Sequence, residues 1–390
     1  MSRRRKAFFL IVTLCLGVMV ALLLGEGILR LFPGLLPPER RQLVLVDMNN
    51  VGIGHPYIGH LHTPNATKRL SGPDFDVEQT TGAFGFRNPG TWPSQADVVV
   101  LGDSLVFGYG VPDDAAWPAI LSRSTPGLGK VMNLGLVGAG AEQYLRVYQT
   151  FGKSLRPKLV VVGIFPGNDF WDAGQFDRWL QEGGQGNYMV WRNYGHFPGG
   201  FWSNPKEVAK SFLLRHSYLC NLIVAAQMDL SRNDEEEPKI YRSQDGQEIR
   251  VSPAGLALRL EGAQPGSREF EITVGALREL HRQVTDNGSK MLVVIQPSKE
   301  EVYMPLLGEE ITDASAGLRQ ELSRLGIEYL DLGPVFRKEA ADHALFFRAD
   351  GHPNERGYRL IAESVARFLA GSLRGGPRSS SQAAAWGGRP

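Results

Sequence analysis

From Asp97 onward, five short runs of branched apolar residues recur, each followed by a helical pattern, and that alternation decides the fold class. The runs are 97–102, 130–134, 158–165, 290–296 and 327–332; helical periodicity occupies 114–125, 139–153, 270–287, 312–325 and 354–372. Val, Ile and Leu without polar alternation predict strands covered on both faces. Strand-then-helix order predicts parallel strands with crossover helices on both sides. The expected architecture is a three-layer α/β/α, doubly wound, flavodoxin-like parallel sheet of about five strands. Ligands in such sheets bind beyond the carboxyl ends of the strands, so chemistry is expected there.

Four stretches fall at or after those ends. Gly102-Asp103-Ser104-Leu105 follows the first strand directly, and Asn133-Leu-Gly135-Leu-Val-Gly138-Ala-Gly140 follows the second. Gly167-Asn168-Asp169 follows the third, and Asp350-Gly351-His352-Pro353-Asn354 opens the last helix. Each has a plain structural reading: a serine after a strand often caps the next helix, and Asp103 suits a turn. Taken together they supply acyl transfer. Ser104 can attack a carbonyl if His352 takes its proton, and Asp350 can hold the imidazole in the right tautomer. Candidate oxyanion donors are the Ser104 N–H, the Gly138 N–H and the Asn168 side-chain amide. Glycine lets the backbone approach a ligand closely.

This order of blocks resembles the SGNH, or GDSL-type, hydrolase family. Gly102-Asp103-Ser104-Leu105 matches its first block residue for residue, which makes Ser104 the nucleophile. Asn133 and Gly138 have the spacing of the second block. The third block, Gly-x-Asn-Asp, reads here as Pro166-Gly167-Asn168-Asp169, with the glycine directly before the asparagine. The last block is usually Asp-x-x-His, and here Asp350 and His352 are one residue closer. Asp-x-His resembles branches of the superfamily that include polysaccharide O-acetyltransferases. The resemblance covers about residues 96–372 and implies a serine esterase acting through an acyl-serine, without metal or cofactor. An O-acyl ester, O-acetyl included, on a glycan or lipid is the implied substrate class. An O-acyltransferase with the same residues is the alternative, and a non-catalytic envelope binding protein a further one.

The amino terminus bears on location. Arg3-Arg4-Arg5-Lys6 precedes an uninterrupted apolar-to-neutral run from Ala7 to Gly25, nineteen residues, just enough to span a hydrocarbon core. The positive cluster should remain cytoplasmic, placing the rest of the chain on the periplasmic or extracytoplasmic side of an inner membrane. A cleaved signal peptide competes with an uncleaved anchor, but no small-x-small site follows the run, and Leu14 before Cys15 does not suit lipoprotein processing. The expected organisation is a basic stub and anchor over 1–33, an extended region over 34–95 packing on the main domain, and a hydrolase domain over 96–372. An insertion occupies about 170–250, and a disordered tail 373–390.

The remaining signals are weaker. A net charge of +1 offers nothing to nucleic acid, and two cysteines, Cys15 and Cys220, imply no disulfide framework. His55-Pro-Tyr-Ile-Gly-His60-Leu-His62 invites a metal reading, but Pro56 and Gly59 break the helical spacing that would align three imidazoles. Gly138-Ala-Gly140 ends in Gln143 where a dinucleotide fingerprint needs glycine or alanine. His343, His196, His216 and His281 read as structural or surface residues. The insertion holds Trp171, Trp179, Trp191 and Trp202 among other aromatics, which suit either a satellite core or an apolar lid over the crevice.

Overall fold

The computed structural model describes residues 3–36, 52–194, 206, 209, 212–213, 216–231, 238–252 and 260–374. The chain divides into two compact units. The smaller comprises 1–50, 71–73 and 193–235, and the larger 51–70, 74–192 and 236–390. The charged run 234–237 and the tail beyond Arg374 lie outside the described residues.

In the smaller unit, helix Arg3–Leu31 ends where Pro33 and Gly34 enter a short 3-10 turn. At 1.5 Å per residue it is about 43 Å long, more than a hydrocarbon core requires. Its apolar side chains are exposed along most of its length, so by length and composition it can cross a membrane. Near its end, Glu26 accepts hydrogen bonds from the Tyr218 and Leu219 N–H groups, both 3.0 Å, and from the Ser217 hydroxyl, 2.9 Å. That carboxylate thereby caps a second helix, Tyr218–Ser231.

The larger unit is built on five parallel strands: β1 Val98–Gly102, β2 Val131–Gly135, β3 Leu159–Ile164, β4 Lys290–Ile295 and β5 Glu328–Asp331, in the order β5-β4-β3-β1-β2. Each lies within one residue of its expected bounds. β1 shows why its composition works. Val98 and Val100 pack into one core with Trp117, Tyr303 and Tyr358, while Val99 and Leu101 pack into the opposite core with Tyr144, Tyr148 and Leu280. A strand covered on both faces has no use for polar alternation. The covering helix Arg268–Asp286 buries Phe270, Thr273, Val274, Leu277, Leu280 and Val284, the spacing of one helical face, and the Ser267 hydroxyl caps its start.

Three features depart from the expected organisation. The segment before β1 is not simply extended: it contains the hairpin Ile53–His55/Gly59–Leu61 and the strand pair Thr67–Ser71 and Asp76–Thr80. A helix, Gly333–Ala340, intervenes between β5 and the Asp350 loop. Part of the insertion is a further hairpin, Lys239–Arg242 with Glu248–Val251, whose Ile249 and Val251 are buried.

Candidate active site

β1 ends at Gly102, where an added Cβ would lie 2.2 Å from Val106 Cγ2, so the turn closes only around glycine. Asp103 caps the short helix Ser104–Phe107 by accepting the Leu105 N–H at 2.9 Å. The serine therefore sits at the first helical position, on the central strand of three. β2, on one side, leads to Gly138, and β3, on the other, leads to Asn168. Ser104 Oγ lies 2.8 Å from His352 Nε2, and His352 Nδ1 lies 2.6 Å from Asp350 Oδ1. The Asp350 carboxylate can only accept, so the imidazole proton resides on Nδ1 and Nε2 is free to receive the serine proton. Residues 248 positions apart in sequence thus meet at hydrogen-bond distance.

The Asp350 loop is held from several sides. The Asp350 and Ala349 N–H groups both donate to Asp74, at 2.8 and 2.7 Å. Lys299, 2 % exposed, donates Nζ to the carbonyls of Arg348 and Asp350 at 2.8 and 3.0 Å. Its burial lowers the ammonium pKa to about 8. Asn354 accepts from the Gly357 N–H and starts the last helix. The Tyr109 ring lies 4.6 Å from the His352 ring. Burial opposes ionisation of Asp350, but the charge and hydrogen bonds of His352 outweigh it and bring its pKa below the ordinary value.

The candidate oxyanion donors are Ser104, Gly138 and Asn168. Gly138 has φ +71°, a left-handed conformation that disfavours a side chain, and an added Cβ would lie 2.6 Å from Arg192 Nη1. Neither the Ser104 nor the Gly138 N–H has an acceptor among the described residues. The buried Asp103 carboxyl is pushed up in pKa by desolvation, against the pull of the Leu105 N–H, His352, Ser104 and Asn168. Asp169 accepts the Phe165 N–H on one oxygen, and its other oxygen is 2.8 Å from the Tyr144 hydroxyl. That hydroxyl is also 2.9 Å from the Ala139 carbonyl, which can only accept. The Tyr144 hydroxyl thus joins the Ala139 carbonyl to Asp169. Burial, with Asp103 beside it, pushes the Asp169 pKa well above the usual carboxyl range.

A buried nucleophile helix, an imidazole bridging hydroxyl and carboxylate, and two free N–H groups can attack, protonate and stabilise an acyl centre. The sequence profile described as GDSL-like Lipase/Acylhydrolase family matches residues 100–360, two thirds of the chain. The chain belongs to the GDSL-like lipase/acylhydrolase family. It is a hydrolase acting on esters. No curated protein matches the chain. Solved structures similar to it include a member of the lipolytic protein G-D-S-L family from Veillonella parvula DSM 2008, 12 % identical, covering 70 % of this chain and 97 % of that one at a TM-score of 0.36. An alpha/beta hydrolase enzyme from the metagenome of Lake Arreo, Spain, is 16 % identical over 72 % and 97 % of the two chains, TM-score 0.36. A catalytic mutant of an acetylxylan esterase from Geobacillus stearothermophilus is 12 % identical over 71 % and 95 %, also at 0.36.

In this GDSL-family chain, sequence reasoning passed over Asp74, Lys299 and Tyr109. None carries a local signal, because each acts on a loop remote in sequence. The hairpin that packs on the Asp350 loop, through the Arg250 N–H to the Arg348 carbonyl at 2.9 Å, did have one. Asp245-Gly246 between alternating apolar residues marks a tight hairpin turn. The first part of the insertion is a satellite core of Phe176, Trp179 and Tyr188, with Trp191 and Met189 against it. Gly59 is wedged there, where a Cβ would meet Tyr188 and Phe176 within 2.9 Å. This part is built into the unit and is not a detachable lid. Trp202 and the other aromatics of 195–205 lie outside the described residues. His343 is half-exposed beside Asp245, and among the described residues no group of His, Cys, Asp and Glu side chains is placed to hold a metal ion.

The three imidazoles at the first hairpin do something else. His55 Nδ1 accepts the Tyr57 and Ile58 N–H groups. His60, 1 % exposed, donates Nε2–H to the Val137 carbonyl at 2.9 Å. Burial lowers its pKa to about 3, so it stays neutral in the folded chain. The unfolded chain, with a histidine near 6.5, binds the extra proton between those values, so this contribution is complete above pH 6.5 and is lost on acidification. Between pH 6.5 and 5, His60 should cost about 2 kcal/mol of stability. Urea midpoints at pH 7.5 and 5.0 measure this, and the drop should be smaller by that amount in His60→Gln. An equal drop in both proteins would assign the acid sensitivity elsewhere.

Proposed function

We propose that this chain is a membrane-tethered serine esterase that removes an O-acyl group from an envelope glycan or lipid, on the extracytoplasmic side of the inner membrane. The observation that carries the reading is the unbroken line from the Ser104 hydroxyl through His352 to Asp350, with the Ser104 and Gly138 N–H groups left without acceptors among the described residues. Ser104 Oγ attacks the ester carbonyl and its proton passes to His352 Nε2. The Ser104 and Gly138 N–H groups, with the Asn168 side-chain amide, take the negative charge on the carbonyl oxygen. Collapse expels the alcohol, which leaves with the proton from Nε2. Water then attacks the acyl-serine with the same base, releasing the acid and restoring Ser104.

The apolar helix after Arg3-Arg4-Arg5-Lys6 supports the tether and its orientation. Trp171, 41 % exposed in the first turn of the helix capped by Asn168, supports a sugar-bearing substrate, because an aromatic face packs well on a sugar ring. The close spacing of Asp350 and His352 favours a second reading, transfer of the acyl group to a sugar hydroxyl. The two differ only in what attacks the acyl-serine.

The full chain in detergent should take up one equivalent of a fluorophosphonate, located on the Ser104 peptide by mass spectrometry. With p-nitrophenyl acetate it should show a burst of nitrophenol equal to the labelled fraction. Folded protein that neither labels nor releases nitrophenol would overturn the esterase reading. Sugar alcohols that speed breakdown of the acetyl-enzyme, with acetyl-sugar as product, would place the chain among transferases.

A further inference from the structure

We propose that His60 and His62 are positioning residues for the ester chemistry, clamping the Val137–Gly138 peptide so that the Gly138 N–H faces the oxyanion. The proposal rests on the reading of that N–H as an oxyanion donor. His60 lies in the hairpin before β1 and His62 directly follows its last residue, Leu61, both upstream of the segment that matches the family profile.

The geometry fixes both tautomers. The Val137 carbonyl only accepts, so His60 carries its proton on Nε2, and its Nδ1 faces the Gln143 amide at 3.5 Å. The Gly85 carbonyl, 3.1 Å from His62 Nδ1, likewise places the His62 proton on Nδ1. His62 Nε2 is then a bare acceptor and takes the Val137 N–H at 3.3 Å. One residue thus has its N–H held by one imidazole and its C=O by the other. The Val137 carbonyl and the Gly138 N–H belong to a single planar trans peptide and point in opposite directions. Holding the oxygen on His60 therefore aims the N–H the other way.

The neighbouring groups of the loop are also committed. The Leu136 N–H donates to Gly102 at 2.8 Å, and the Ala139 N–H to Leu136 at 3.2 Å. The Ala139 carbonyl accepts from Tyr144. Within this run the Gly138 N–H is the donor left over. The His62 ring also packs 4.4 Å from Phe107, the last residue of the nucleophile helix, so the clamp references both the loop and the serine. A loop that needed only to bury its polar groups could close on itself. Here two side chains set the tilt of one peptide, which is what a directed donor requires.

The test compares wild type, His60→Ala and His60→Gln as full chains in detergent. Glutamine can place its amide hydrogen where Nε2–H stands; alanine cannot. Carbonyl-13C valine with 15N glycine selects the four Val–Gly pairs of the chain, of which Val137–Gly138 is one. The Gly138 amide resonance should move in His60→Ala and stay near its wild-type position in His60→Gln. With p-nitrophenyl acetate, His60→Ala should lose about tenfold to a hundredfold in kcat, part of the loss typical of removing one oxyanion donor. KM should stay within twofold, and His60→Gln should recover to within threefold. Equal kcat in all three proteins, or equal losses in both variants, would overturn the proposal. Retention of turnover in Ser104→Ala would instead remove the esterase reading, and the Gly138 resonance would still report whether the clamp exists.

Discussion

Asp350→Asn should lower kcat on p-nitrophenyl acetate by about 10⁴-fold, and Ser104→Ala by about 10⁶-fold, with both proteins folded. The serine variant removes the nucleophile. The asparagine variant is the more informative, because it is nearly isosteric and leaves Ser104 in place. In the wild type, Asp350 Oδ1 accepts from His352 twice, from Nδ1 at 2.6 Å and from its backbone N–H at 2.8 Å. An amide that keeps its oxygen at that position keeps both bonds but loses the charge that stabilises the imidazolium, and one that turns its nitrogen there faces Nδ1 as a donor. The imidazole answers by moving its proton to Nε2, where it meets Ser104 as a donor and cannot accept the serine proton. KM should change little, since ester binding involves neither proton. The charge and hydrogen bonds of His352 hold the Asp350 pKa below its ordinary value, so Asp350 stays ionised through the working pH range. Steady-state kinetics and circular dichroism on the three proteins decide the matter. An Asp350→Asn enzyme within tenfold of wild type would mean that His352 is oriented by something else, with Tyr109 and the backbone of its own loop as the remaining holders.

How much of this was legible beforehand follows from the range of each interaction. The β strands were legible because a strand buried on both faces leaves a run of branched residues that needs no partner to be recognised. Ser104, Asn168 and His352 were legible because their blocks stand at strand ends or helix starts. The hairpin at Asp245-Gly246 had its turn signal, but its place on the Asp350 loop is a tertiary fact. His60 and His62 stand out as imidazoles in one short segment, but their spacing says nothing of the role proposed for them. Their partner is a backbone peptide 75 or more residues away, which leaves no trace in side-chain spacing. Lys299 and Arg87 are less legible still. A single basic residue in a polar context reads as surface, and only the fold shows it buried against carbonyls.

Arg87→Met should lower the unfolding free energy by about 3 kcal/mol and reduce kcat with it. The Arg87 side chain is 1 % exposed and lies under the loop that ends the nucleophile helix. Nε donates to Asp113 at 2.6 Å, Nη2 to the Val111 carbonyl at 2.5 Å, and Nη1 to the carbonyls of Phe107 and Gly108. Burial lowers its pKa, and Asp113 works against that. Methionine fills the volume but returns none of these bonds. Gln79 still reaches the Gly108 and Val111 carbonyls, and Asp113 keeps partial contact with water, which is why the expected loss stays below that of stripping a fully buried ion pair. Arg87→Lys should recover little, since a single ammonium cannot span carbonyls that a planar fork reaches together. The catalytic effect follows from Tyr109, which lies in the same loop, packs on His352, and accepts the Tyr358 hydroxyl on its carbonyl. Loosening the loop frees the imidazole to tilt away from Ser104. Urea unfolding and kcat of the folded fraction, counted by fluorophosphonate labelling, separate the two effects. Full stability in Arg87→Met would show that Gln79 alone holds the loop, and lost stability with unchanged kcat per labelled site would show that the loop does not steer His352.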